Sequence, residues 1–278
     1  MAHTNTHGAR LYLVNIWDSI SNDDIHKCNT PQLTPLQAAE LERVLKQDAE
    51  MYYYNGFVSI CDAINGSINK SWSWSVIKLY YSIFFLCRSI LAINGYAVCY
   101  LGKSEKWIKS ENTQNLKIFP KKRTISFDPS HDKKILAGTH GAVLYLFEDV
   151  MKNNVLLSQD IDGLYPTEWM LRERETANYR ECYFKDPLPM DSMKKINQAG
   201  VLSLLNIYMS DINFTYAFDK DHAIFSYPIE LLKSAHTELS NKHGSQFIIN
   251  GAVERSQFIV DMFGLNENHY ALMAPYFR

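Results

Sequence analysis

Arg174, Asn178, Tyr179 and Glu181 bring several chemistries into eight residues. A guanidinium is always charged and presents a planar fork of donors matched to carboxylates and phosphates. Arg174 is therefore a candidate to bind a phosphate and to stabilise charge developing on it. Steps of four and three residues put Arg174, Asn178 and Glu181 on one polar line of an α-helix. Tyr179, five residues from Arg174, lies about 140° around such a helix, so the two converge only across a partner helix or a two-fold axis. Histidine is the natural proton carrier near neutral pH, yet none follows Arg174 within ten residues. Proton transfer then falls to Tyr179, or to His140 where the fold brings it near. A phenol, with an ordinary pKa of about 10, is a poor base at neutral pH. A purely structural alternative stays open, in which Arg174 pairs with Glu173, Glu175 or Glu181 and Tyr179 packs in the core.

A second group of residues suits polyanion binding. Between residues 96 and 138 the chain carries nine Lys and Arg against four Asp and Glu, with Trp107, Phe119 and Phe127 interleaved. Lys117, Lys121, Lys122 and Arg123 are the candidate nucleic-acid contacts, tracking phosphates while rings stack on bases; a solvated loop is the plainer alternative. The whole molecule is no polycation, since its formal charge is −2, so any such contact is local. The five cysteines are odd in number and scattered, and no two share the spacing of a zinc half-site. Gly102-Lys103-Ser104 lacks the upstream glycine of a phosphate-binding loop. Neither a metal nor an organic cofactor is expected.

The elements that position these residues are mostly helical. Thr34-Pro35 is a cap followed by a first-position proline, and the 3.6-residue period of Leu36, Leu41, Val44 and Leu45 runs to Asn55-Gly56. Helix resumes from Phe57 to Ile64. Val76, Tyr80, Ile83, Phe84, Cys87 and Leu91 form the strongest apolar face, ending at Asn94-Gly95. Lys78 and Arg88 interrupt that run, so it reads as a buried helix and not a membrane span. Leu116–Phe119 and Arg123–Phe127 alternate about a Pro-Lys-Lys turn, which suits a β-hairpin. Further helices are expected at 139–153, 166–183, 191–216, 228–241 and 252–263. Leu11–Trp17 suits an N-terminal strand or arm. The expected organisation is an arm (1–33), a helical bundle (34–187) with a basic insertion (96–138), and a helical C-terminal extension (188–278). The polar start of the chain lacks the apolar segment of a secretory signal, and the scattered cysteines suit a reducing compartment. The chain is expected to be cytoplasmic.

Three segments carry a family resemblance. Ser75–Phe85, running on to Ile93-Asn94-Gly95, resembles the signature helix of HEPN domains. Thr139-His140-Gly141-Ala142 resembles the Thr/Ser-His-Gly helix start that follows in small prokaryotic members. Arg174-Glu-Thr-Ala177-Asn178-Tyr179 resembles their Arg-x-x-Ala-Asp-Tyr segment, with Asn in place of Asp. The resemblance covers about residues 40–185. It implies a mainly α, up-and-down helical bundle, commonly a homodimer. It further implies a metal-independent ribonuclease, toxin or effector of antiviral or toxin–antitoxin systems, with RNA as substrate and an operon-encoded protein as a partner. The family's usual His after the Arg is missing here, and some toxin members have Tyr near that position. In metal-free RNA cleavage the 2′-hydroxyl is the nucleophile, so the protein supplies proton transfer and charge stabilisation. Loss of the His keeps a second reading open, a catalytically silent bundle that recognises nucleic acid, a nucleotide or a partner protein.

Overall fold

The computed structural model describes residues 7–119, 124–126, 133–135, 138–180, 186–243 and 273–276. The fold is mainly helical with small antiparallel sheets. It divides into two compact units, Met1–Tyr52 with Cys87–Val150, and Tyr53–Leu86 with Met151–Arg278. The division falls inside two long helices, α3 (Pro35–Ile68) and α4 (Trp72–Ile93), each of which contributes to both units.

In the first unit the N-terminal segment is helical: α1 spans Gly8–Ile16 and α2 spans Asn22–Lys27. The expectation of a strand or arm is corrected here. Ala9, Leu13 and Trp17 are buried at four-residue steps, the spacing of one helical face. The Asp48 carboxylate accepts from the Gly8 and Ala9 N–H groups at 2.8 and 2.9 Å. It thereby satisfies donors that the start of α1 leaves without helical partners. The hairpin also differs from expectation. β1 (Tyr96–Leu101) pairs antiparallel with β2 (Ser104–Lys109) across a turn at Gly102, whose φ of +65° suits glycine. β3 (Lys117–Ile118) then adds to the edge of β2, whereas β4 (Thr124–Ser126) pairs with β5 (Lys133–Ile135). Lys117-Ile118 is thus matched to Lys106-Trp107, and Thr124–Ser126 to Lys133–Ile135. α5 (Gly138–Val150) packs on β1 and β2, and its Val143, Leu146 and Phe147 are buried.

In the second unit α3 runs unbroken past Asn55-Gly56, where the sequence suggests a stop. The glycine is there for proximity. A Cβ on Gly56 would stand 2.7 Å from Leu86 Cγ and 3.3 Å from the Ser82 carbonyl, so two helices meet at closest approach. Gly56→Val is expected to overpack this contact and lower stability by about 1–3 kcal/mol. Urea unfolding measures it, and an unchanged midpoint would remove the close-approach explanation. Gly95 carries a φ of +84° just beyond α4, as the Asn-Gly stop predicts.

α6 (Pro166–Glu175) begins on a first-position proline and leads into a π-helical turn, Thr176–Arg180. The single long helix expected at 191–216 is broken: α7 (Lys194–Ala199) and α8 (Val201–Ser210) meet at Gly200, φ +82°. α9 spans Ala223–His243 and accommodates Pro228 within it. The helix expected at 252–263 lies outside the described residues.

Lys233 on α9 reaches the end of α8 while pairing with Glu230 on its own helix. Glu230, with a side chain 1% exposed, accepts from Lys233 Nζ at 2.6 Å, and Lys233 also donates to the Asp211 carbonyl at 2.8 Å. Burial pushes the Glu230 carboxyl up to about 7, against the opposing pull of Lys233. The folded state therefore holds a proton that the unfolded chain releases at lower pH. Stability from this group is fully present below the unfolded carboxyl range of about 4–5 and is lost as pH rises towards about 7, on the order of 2 kcal/mol in all. Glu230→Gln is expected to flatten the stability profile between pH 5 and 8 in urea unfolding. An equally steep profile in the variant would assign the slope to other groups.

Candidate active site around Arg174

Local sequence explains the turn that carries the site. The Thr176 hydroxyl donates to the Arg172 carbonyl at 2.9 Å, back-bonding of the kind that bends helices. Upstream, Trp169 and Met170 are buried and hold α6 in the core. Arg172 faces outward to Asp162 at 2.9 Å and lies 3.4 Å from Glu173. Burial raises the Glu173 carboxyl above its ordinary range, against the pull of Ser192 and Arg172.

Arg174 lies 15% exposed, with its guanidinium carbon 5.2 Å from the Tyr80 ring centroid, 5.9 Å from Tyr81 and 5.8 Å from Tyr179. The quadrupole of each ring attracts the cation at this range. Arg174 Nη1 donates to Glu175 at 2.7 Å, while the buried Nε has no hydrogen-bond partner among the described residues. An orphaned buried N–H of a charged group is costly and calls for an explanation. Tyr80 is wholly buried, Tyr81 half-buried, and Tyr179 67% exposed. The site is thus a cation walled by aromatic rings, with one ring facing solvent.

The 140° offset between Arg174 and Tyr179 does not survive this geometry. It assumes 100° per residue, whereas a π-turn closes through i→i+5 bonds and brings the fifth residue back to the same side. One segment therefore presents both side chains together, without a second helix or subunit. Asn178 sits half-buried in the same turn, and the position of Glu181 lies outside the described residues. His140 is half-buried in the first turn of α5 and belongs to the first unit. The Arg174–Glu175 pair was among the structural alternatives open from the sequence. Tyr80 and Tyr81 carry more than the fold role their motif suggests.

The basic stretch is less uniformly a surface. Lys106 is wholly buried, donating to the Leu101 carbonyl at 3.2 Å and Ser104 Oγ at 2.8 Å. Lys117 Nζ lies 4.6 Å from the Trp107 ring centroid, and Phe119 meets Tyr145 edge-on at 6.4 Å. These rings already have intramolecular partners. Lys121, Lys122, Arg123 and Phe127 lie outside the described residues.

A second polar cluster sits in the first unit, in a pocket lined by His7, Asp48, Tyr52, Arg88 and Cys99 among others. Arg88 donates to the Tyr52 hydroxyl at 2.6 Å with its guanidinium carbon 4.2 Å from the ring centroid. Burial pushes the Cys99 thiol up to about 12, which withholds the thiolate that nucleophilic chemistry needs. Burial and Arg88 lower His7 from its ordinary value. With Asp48 bonded to the α1 start, this cluster anchors the N-terminal helix.

No group of three or more His, Cys, Asp or Glu among the described residues could hold a metal ion. α4 is long and apolar enough by length and composition to cross a membrane, and 83% of its most apolar window is buried. No protein-family model, curated protein or solved structure matches the chain.

Proposed function

We propose that this chain is a HEPN-type, metal-independent endoribonuclease or toxin-like effector, acting in the cytosol as a homodimer in prokaryotic antiviral defence or a toxin–antitoxin-like system. The observation that supports this reading is the pairing of Arg174, at the end of α6, with an exposed Tyr179 on the π-turn that follows, within the segment that resembles the family's Arg-x-x-Ala-Asp-Tyr. In the reaction the 2′-oxygen of the substrate attacks the adjacent phosphorus and its proton passes to solvent. Charge gathers on the non-bridging oxygens, where the Arg174 donors act. The 5′-oxygen leaves with a proton from Tyr179, since a phenol is a donor at neutral pH. Water then restores the phenol.

The test is incubation of purified protein with total RNA in EDTA, beside Arg174→Ala. Cleavage by the wild type that is absent in the variant is expected; no cleavage by the wild type at high concentration would sink the proposal for those substrates.

One observation favours the second reading. Glu175 occupies an Arg174 nitrogen at 2.7 Å, and an ion pair within an aromatic wall suits recognition as well as chemistry. On that reading RNA is bound through the same residues and released intact.

A further inference from the structure

Between Trp72 and Leu86, α4 is buried at every position except Trp74, Lys78, Tyr81 and Phe85. At 100° per residue these four fall within about 60° of one another, so they form one solvent-facing stripe. The outward stripe of a core helix is ordinarily polar. This one consists of three aromatic rings and a cation. Trp74 is 52% exposed; the Tyr81 and Phe85 rings lie 6.4 Å apart. Lys78 Nζ is held by Asp62 at 2.6 Å. Tyr81 also faces Arg174, which it shares with the exposed Tyr179. The stripe is therefore continuous in chemistry with the Arg174 site.

We infer that Trp74, Tyr81 and Phe85 are a base-stacking track for single-stranded RNA that leads into the Arg174 site. Rings stack on any base because every base has a π-face, and interleaved cations follow the phosphates. From Trp74 to Phe85 the helix rises about 16 Å, room for about three to five nucleotides. A duplex is a poor occupant, because its bases are already stacked and the A-form major groove is too narrow for side chains to read. A second copy of the chain would use the same chemistry, since aromatic residues and Arg are enriched at protein interfaces; the run of the stripe up to the phosphate-binding Arg174 favours RNA, and sedimentation separates the two occupants. The inference rests on the proposed function in taking Arg174 as the phosphate-binding residue.

The test uses the full chain in EDTA and a labelled eight-nucleotide 2′-O-methyl RNA, which lacks the attacking hydroxyl, so that binding is read without cleavage. Single-stranded RNA is expected to bind more tightly than a duplex of the same sequence. Trp74→Leu and Phe85→Leu are each expected to weaken binding by about tenfold, whereas Trp74→Phe and Phe85→Tyr keep the ring and most of the affinity. Unchanged affinity in both leucine variants, equal binding of the duplex, or no binding by the wild type would overturn the track. Sedimentation velocity gives a further contrary outcome. If Trp74→Leu converts a wild-type dimer to monomer with RNA affinity unchanged, the stripe holds a second copy instead. Should binding behave as expected while unmodified RNA stays intact, the nuclease reading fails and the track stands.

Discussion

Arg174→Lys is expected to lower EDTA-resistant RNA cleavage by at least about 100-fold, and Arg174→Ala by about 1000-fold, the range seen when one donor to a developing oxyanion is removed. The lysine variant is the sharper of the two. It keeps the positive charge beside Tyr80, Tyr81, Tyr179 and Glu175, but replaces a planar fork with a compact ammonium that cannot span two phosphate oxygens. Single-turnover rates on a labelled oligonucleotide report the chemical step, and melting temperatures confirm that the variants fold. A lysine variant with wild-type rate would reduce Arg174 to a charge that holds Glu175 in place. The ion pair with Glu175 makes the complementary change informative, because Glu175→Gln frees the guanidinium for substrate at the same position.

The largest effect on stability is expected from Trp169→Ala, at about 3–5 kcal/mol. Trp169 is 2% exposed and is among the largest buried side chains of the structure. It lies on α6 five residues before Arg174, so the site depends on its packing. A loss of this size corresponds to a fall in melting temperature of about 10 °C for a chain of this length. Thermal and urea unfolding measure it, with Trp169→Phe as the milder comparison. A loss below about 1 kcal/mol would mean that the surroundings collapse into the space, and that α6 is held mainly from elsewhere.

Much of this fold is legible in the sequence where burial and period agree. The helix around Tyr80 reads clearly because its apolar residues recur on nearly every face, and Asn94-Gly95 ends it for the reason the sequence suggests. Gly56 misleads because a glycine serves two purposes. Composition alone does not distinguish a chain break from a point of close helix approach, and here Leu86 decides. The Leu11–Trp17 segment misleads in the opposite way: its near-alternation hides the four-residue step of Ala9, Leu13 and Trp17.

At the candidate site, Arg174 and Tyr179 stand out by residue type, but their relation does not. Spacing rules presuppose the α-helical step, and the π-turn at Thr176–Arg180 replaces it with one that brings them together. Thr176 is the residue whose back-bonding hints at the irregularity. The stripe of Trp74, Lys78, Tyr81 and Phe85 was available from spacing alone, yet in an apolar helix such residues read as core until their exposure is known.

Product-end analysis of a defined single-stranded RNA cleaved in EDTA tests the proposed chemistry most directly. A 2′-hydroxyl nucleophile assisted by Arg174 and Tyr179 leaves a 2′,3′-cyclic phosphate on one product and a 5′-hydroxyl on the other, and a 2′-deoxy substitution at the scissile nucleotide abolishes cleavage. Intact RNA under these conditions, 3′-hydroxyl ends, or cleavage that persists through the deoxy position would contradict it.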